Sequence, residues 1–346
     1  REINGVIHYL PPYRHEDEIR LSSLLGISGH LVQKGISVNL IKAIVSLRSY
    51  KSEGEIVQIE EAIGVTAEMQ KAAIRATSIG KMEYEIVSEV EATARAFNCN
   101  LSFPVILTVE GQVLHNYYHG NRINGGELLL CDCGAENGMH YAGDLTRTFP
   151  TSGKFSQKQA EINQVVMEAY DSAVSMLKPG VLFKDIHLHS CLKLTEGLIQ
   201  LGLMKGDPSA AVEEGAHAMF FQCGLGHMMG LDVHDMENLG EQYVGYTAEL
   251  EKSSQFGLKS LRLGRSLEAG FVITIEPGIY FNTRLIDKWR AENRFLSFIN
   301  YDLLETYRDF GGLRVEDDYL ITETGYRRLG PELASSVAGI EDLLQK

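Results

Sequence analysis

The segment Leu128-Leu-Leu-Cys-Asp-Cys133 puts a carboxylate inside an apolar strand. Side chains alternate along a strand, so Asp132 shares a face with Leu128 and Leu130, while Cys131 and Cys133 point the other way. An acid on an apolar strand face is costly to bury unless something pairs with it. The same tension recurs downstream. Asp144 shares a face with Thr146 and Thr148, Glu276 ends a strand that is apolar on both faces, and Glu316 shares a face with Arg314 and Asp318. His227 sits in the glycine-rich stretch Cys223-Gly-Leu-Gly-His227. Taken singly, each acid reads as a salt bridge or a cap. If the four converge, two carboxylates about 4 Å apart repel by roughly 4 kcal/mol at an effective dielectric near 20. Two divalent cations would nearly cancel them, and oxygen-rich ligands with one imidazole suit manganese, cobalt, zinc or iron.

The rest of the pattern places these residues. A helical segment lies near Glu16–Leu25. Thr66 reads as the cap of a helix over Ala67–Gly80, and a second helix runs from Met82 to Asn98. Pro104–Val109 is a strand, and Glu127–Cys133 and Ala142–Phe149 form a hairpin around Asn137-Gly138. Ser156-Gln-Lys-Gln159 is a capping box. The helix it opens carries Ile162, Val165, Val166, Ala169, Ala173, Met176 and Leu177 on one face and stops at Pro179-Gly180. A third helix spans Phe183–Leu201. The remainder reads as strand-rich, with strands over Phe271–Glu276 and Leu313–Ile321, the latter being the last. Helices cluster early and strands pair locally, so the class is α+β.

A formal charge of −14 on 346 residues repels phosphate backbones and argues against nucleic acid as a partner. No apolar run has the length of a membrane span. Cys99, Cys131, Cys133, Cys191 and Cys223 form no framework spacing, which points to free thiols in a reducing cytoplasm. The chain opens on Arg1 rather than Met.

Four motifs then stand in order: Leu130-Cys-Asp132 with Tyr141-Ala-Gly-Asp144-Leu-Thr-Arg-Thr-Phe149-Pro150; Gly226-His227-Met-Met-Gly-Leu-Asp-Val-His234-Asp235; Thr274-Ile-Glu276-Pro-Gly-Ile-Tyr280; and Leu313-Arg-Val-Glu316-Asp-Asp318. Together they resemble the Xaa-Pro aminopeptidase and prolidase family of pita-bread metallopeptidases, over roughly residues 56–330. The resemblance implies a curved mixed sheet in two pseudo-twofold βαβ halves wrapped by helices. It also implies a dinuclear centre, most often manganese. Asp132 and Asp144 would bind one ion, His227 and Glu276 the other, with Asp144 and Glu316 bridging. Glu276 would also carry the proton from water to the departing proline nitrogen. His234 would hydrogen-bond the developing oxyanion, His115 would orient substrate and Arg314 would hold its acidic neighbours. The implied substrates are peptides with proline second, and the implied assembly is a homodimer.

The sequence departs from the family in places. The turn between Asp132 and Asp144 is one residue longer, Cys223 stands where another His is usual, and by the resemblance residues 1–55 are the truncated remnant of an N-terminal domain ahead of a catalytic domain over 56–346. The insertions Glu241–Arg265 and Asn282–Thr306 are expected to be solvated loops rather than a cleft rim or a subunit contact. His187 and His189, two apart on a helix, do not face each other and are not expected to bind metal. His217 and the other isolated histidines read as core or surface residues. Competing functions are a prolidase, a methionine aminopeptidase, and a metal-free binding module or creatine hydrolase on the same fold. The last would have lost ligands that are all present here.

Overall fold

In a computed structural model, which describes residues 5–345, the N-terminal segment is helical: α1 (His15–Leu25), α2 (Gly29–Lys34) and α3 (Val38–Ser49). The domain boundaries placed at residues 1 and 346 lie outside the described residues. Helix α3 sends Ile41 and Val45 into the main core.

The long helix α4 (Glu53–Ala76) begins at Ser52, whose hydroxyl accepts from the Glu55 N–H while the Glu55 carboxylate accepts from the Ser52 N–H. Thr66 is therefore not a cap, as its sequence context suggested, but lies within the helix. Its hydroxyl donates to the Ala62 carbonyl at 2.8 Å and accepts from the Ala135 N–H at 2.9 Å. A threonine can satisfy itself on its own helix in this way, so it need not mark a start. Helix α5 (Glu83–Ala96) packs against α4.

The strands follow: β1 (Asn100–Leu101), β2 (Ile106–Thr108), β3 (Leu128–Cys133), β4 (Ala135–Glu136) and β5 (Leu145–Pro150). Strand β3 is the centre of the sheet β2-β3-β5, and Asp132 lies opposite Ile106 on one side and Thr146 on the other. Both its faces are buried. Leu128 and Leu130 join the main core, while Leu129, Cys131 and Cys133 join a second core under α4 and α5. The expected alternation holds residue by residue. Gly143 lets the chain entering β5 lie on α4, because a Cβ there would meet the Thr66 hydroxyl at 2.7 Å and the Ile63 backbone nitrogen at 2.8 Å.

The second half repeats the order of helix pair and then strands. The capping box at Ser156 and Gln159 opens α6 (Gln157–Ser175), which packs on α7 (Phe183–Gln200). Short helices α8 (Pro208–Glu214) and α9 (Glu241–Val244) precede β6 (Val272–Ile275) and β7 (Gly278–Tyr280). Helix α10 (Thr283–Ala291) is capped by Asn282, whose side-chain oxygen accepts from the Leu285 N–H, and it buries Ile286 and Trp289. Together with α11 (Tyr301–Leu304) it replaces the solvated loop expected over Asn282–Thr306, because its apolar face has a core to enter. The second half is thus less strand-rich than its glycine punctuation suggested.

The expected strand Leu313–Ile321 is two strands, β8 (Gly312–Arg314) and β9 (Asp317–Ile321), and β10 (Tyr326–Arg328) follows them. Strand β8 pairs with β7, and β9 lies between β6 and β10. Between them the ladder changes partner. The Val315 N–H donates to the Pro277 carbonyl and the Glu316 N–H to the Thr146 carbonyl, so Glu316 bridges to β5. Every ladder among the described residues is antiparallel. The two halves therefore meet edge to edge at Thr146 and Glu316. Helix α12 (Val337–Leu344) closes over the second core with Ile340.

Arg147 locks this seam. Its side chain is fully buried, and it donates to the carbonyls of Thr146, Glu316, Leu333 and Ala334 and to the Asp317 carboxylate at 2.8 Å. Tyr170 donates to the other Asp317 oxygen at 2.5 Å. All five guanidinium donors are thus used. Replacing Arg147 with Met leaves the Asp317 carboxylate and four carbonyls short of a donor. The expected loss is about 3–5 kcal/mol, as for other broken buried pairs, read as a lower midpoint in urea unfolding. An unchanged midpoint would refute this role.

Candidate metal centre

The seam brings together residues from four separate stretches. Asp132 ends the central part of β3, and Asp144 stands one residue before β5. Glu276 follows β6, and Glu316 lies between β8 and β9. His227 is held beside β6 by two backbone bonds: the Thr274 N–H donates to the His227 carbonyl at 3.0 Å, and the His227 N–H donates to the Thr274 hydroxyl at 3.1 Å. Gly226 makes that approach feasible, since a Cβ there would lie 2.1 Å from the Thr274 carbonyl oxygen.

All five line one cleft, together with His115, His234 and Arg314. His227 Nε2 lies 3.5 Å from a carboxylate oxygen of Asp144 and 3.5 Å from one of Glu276. Asp144, His227 and Glu316 each offer a donor atom within 4.8 Å of the others. His227 Nδ1 sits 3.1 Å from the Met228 carbonyl, which can only accept, so the ring proton belongs on Nδ1. That leaves the Nε2 lone pair aimed among the acids, as a metal ligand needs.

One cation stands among these carboxylates. Arg314 donates to Asp132 at 2.5 Å, to the Tyr280 hydroxyl at 2.9 Å and to the Thr146 hydroxyl at 3.2 Å. The Thr146 hydroxyl in turn donates to Glu316 at 2.6 Å. This is insufficient compensation. The remaining oxygens of Asp132 and Asp144 are buried without a hydrogen-bond partner among the described residues. Burial, and then Asp132, Asp318 and Glu276, push the Asp144 carboxyl well above the ordinary range. Burial and the neighbouring Asp144 and Glu276 do the same to Glu316. Glu276 is raised by burial, and burial holds the His227 imidazole below its ordinary value. Crowded buried carboxylates beside a bare imidazole nitrogen fit a site shaped for cations.

His234 packs its ring nearly perpendicular to His227 at 4.4 Å between centroids. Its loop is anchored from the N-terminal helices, because the next residue, Asp235, accepts from the buried Lys51 at 2.8 Å and from Arg48 at 2.5 Å. His115 stands at the exposed mouth of the cleft. Cys223 also lines the cleft, its sulfur 3.9 Å from the Tyr280 hydroxyl, and burial and then Glu276 push the thiol up to about 12.

Sequence reasoning placed Asp318 on the face of Glu316 but gave it no role. It accepts from the Asp144 N–H at 3.2 Å and adds another buried carboxylate. Lys51 and Arg48 carried no local signal, because their partner lies more than 180 residues away. The set-aside histidines stay outside the centre. His187 is buried beside Phe221 and His189 meets Ser172, while His217 is a core residue. The five cysteines are free. The insertion after residue 241 is no plain loop either, since Glu241 and Arg262 line the neighbouring groove and pair with each other.

Comparison with known proteins agrees with this geometry. The pattern of metallopeptidase family M24 matches residues 57–323. The chain is 33% identical over 318 residues to a mouse Xaa-Pro dipeptidase (90% of this chain, 62% of that one). It is 34% identical over 304 residues to a Haemophilus influenzae Xaa-Pro aminopeptidase (86% and 61%). It therefore spans about three fifths of the length of these curated relatives. Among solved structures, a zinc-substituted Escherichia coli aminopeptidase P in complex with product superposes with a TM-score of 0.72 at 28% identity, covering 95% of this chain and 66% of that one. Aminopeptidase P II from Yersinia pestis superposes at 0.71 and 28%, covering 87% and 62%. The α+β pita-bread architecture is thus the observed one, and the chain belongs to metallopeptidase family M24.

Proposed function

We propose that the chain is a metal-dependent aminopeptidase that releases the first residue from peptides beginning Xaa-Pro. The observation that carries this reading is the crowding of Asp132, Asp144, His227, Glu276 and Glu316 in one cleft, with two buried carboxylate oxygens lacking any partner among the described residues. These five would hold two divalent ions, Asp132 and Asp144 around one, His227 and Glu276 around the other, and Asp144 and Glu316 between them. Manganese is the metal the family resemblance favours, with cobalt, zinc or iron as alternatives.

Bound ions supply Lewis-acid polarisation of a carbonyl and a water acidic enough to ionise near neutral pH. The chain does the rest. Glu276 takes the proton from the attacking water and delivers it to the departing proline nitrogen. His234 hydrogen-bonds the scissile peptide as charge develops there. Arg314 fixes Asp132, and His115 orients substrate at the mouth. Proline has no N–H and presents a ring at nitrogen. Phe103, Ile106, Leu114 and Val233 form an apolar wall in the same cleft, suited to that ring. The proposal extends to a homodimer in a reducing cytoplasm. The free cysteines accord with that compartment, and no helix among the described residues is long and apolar enough to cross a membrane.

A second reading, an Xaa-Pro dipeptidase, is favoured by the mouse relative's name. Hydrolysis of Xaa-Pro and of Xaa-Pro-Yaa separates the two: cleavage of the tripeptide supports the aminopeptidase, and cleavage of the dipeptide alone supports the dipeptidase. Chelation should abolish hydrolysis, and added Mn2+ should restore it and raise the melting temperature, as any ligand of the folded state does. Activity that survives complete metal removal would sink the proposal.

The electrostatics give a second expectation, for metal-free protein. The raised Asp144 pKa means that the folded state keeps this proton to higher pH than the unfolded chain. Its contribution to stability is full below about pH 4, the ordinary carboxylate value. It is lost as pH rises through the folded value. Asp144→Asn removes that loss. Its stability relative to the unsubstituted protein should therefore grow from pH 4 to pH 8 in urea unfolding without metal. The variant should also lose Mn2+-dependent activity. A pH-independent difference between the two proteins would show that burial and the acidic neighbours do not raise the Asp144 carboxyl.

A further inference from the structure

Outside the five proposed ligands, one half-buried carboxylate contacts the Nδ1 edge of the His234 ring. His234 Nδ1 lies 2.9 Å from Glu237 Oε2. The other oxygen, Glu237 Oε1, accepts from Arg262 at 2.6 Å, and Arg262 also donates to Glu241 at 2.9 Å. Glu241 is further paired with Lys252. Charges thus alternate from the cleft outward into the insertion after residue 241.

The backbone is bent to make this contact. Met236 adopts a left-handed conformation, φ 63°, which is unusual for a residue other than glycine. Its side chain is fully buried in the main core, so the surroundings hold it there. The turn brings the Glu237 N–H to the His234 carbonyl and folds the carboxylate back onto the ring. A strained residue maintained by core packing beside a cleft is where function is commonly found.

We propose that Glu237 is a positioning residue for His234: it fixes the ring orientation and keeps a proton on Nδ1, so that Nε2 is the atom that meets the peptide. This rests on the aminopeptidase reading for its kinetic consequence, but not for the tautomer itself. A carboxylate can only accept here, so Nδ1 must donate. Nε2 is then an acceptor in the neutral ring and donates to a developing oxyanion only when the ring carries a second proton, and one orientation serves both states. Arg262 aligns the carboxylate, which ties the insertion to the reacting centre although it contributes no ligand.

The test has two arms. In histidine-labelled protein, with and without the diamagnetic ion Zn2+, the nitrogen resonances of His234 (assigned by their loss in His234→Ala) should report a proton on Nδ1. In Glu237→Ala the ring should shift toward the Nε2–H form. An Nε2–H tautomer in the unsubstituted protein overturns the proposal. In Xaa-Pro-Yaa hydrolysis, Glu237→Ala should lower kcat on the order of tenfold, the lower end of the scale for orienting partners of a site imidazole, with KM little changed. Glu237→Gln should recover part of the loss through its amide oxygen. The double variant with His234→Ala should be no worse than His234→Ala alone, because Glu237 acts through that ring. Full additivity, or unchanged kcat in Glu237→Ala, would overturn it. If the unsubstituted protein cleaves no Xaa-Pro peptide, the functional reading fails and the resonances alone decide.

Discussion

The structure is organised around a repulsion. Asp132, Asp144, Glu276, Glu316 and Asp318 converge where two antiparallel sheets meet, with Arg314 placed among them and paired with Asp132. Such an arrangement is unfavourable alone, because each acid loses its water and faces others of the same sign. It persists because the surrounding framework determines it independently. The Thr146 to Glu316 bridge sets the distance between the halves, and the Arg147 network holds the Glu316 carbonyl, Asp317 and the tail at Leu333 and Ala334 in one piece. The stability of the seam lies one layer beneath the carboxylates, so the carboxylates are free to be poorly compensated.

That separation explains what could be read from the sequence. Alternation along Leu128–Cys133 placed Asp132 with Leu128 and Leu130, and the two cores divide along that line. The capping box at Ser156 and the apolar stripe beyond it gave α6 because both signals are local. The acids were visible as violations of the strand pattern, which is where functional residues tend to sit. What stayed hidden was non-local. Thr66 looks like a cap unless one knows that its hydroxyl is satisfied by Ala62 and Ala135. Leu313–Ile321 looks like one strand because nothing in its composition reveals a change of pairing partner at Glu316. Helix α10 reads as polar loop until Ile286 and Trp289 find the core.

The histidine loop shows the same logic at a smaller scale. His227 is fixed against the sheet, through the neighbouring Met228 carbonyl and through Thr274 of β6. His234 meets Glu237 three residues on, and its loop is held by partners far along the chain: Asp235 is clamped by Lys51 and Arg48, and Arg262 in the insertion pairs with Glu237. The first histidine is held by the sheet, whereas the second is held by the elements around it. A histidine proposed to stay beside a metal gains from the rigid support of a sheet. A histidine proposed to meet substrates gains from support that can change without disturbing the proposed ligands.

This division also bears on proline selectivity in the proposed reaction. The groups that would carry the chemistry act on a carbonyl and a nitrogen, and every peptide bond offers both. Discrimination must come from what surrounds them. A site that bonded the amide N–H would reject proline outright, since proline has none. A site that instead offers Phe103, Ile106, Leu114 and Val233 to the ring rewards proline by burying apolar surface. These residues come from the segments before β3 and from the loop that carries His234, not from the positions of the five acidic and imidazole groups. Selectivity can therefore change by substitution in the wall while the charged seam, and the fold that tolerates it, stays as it is.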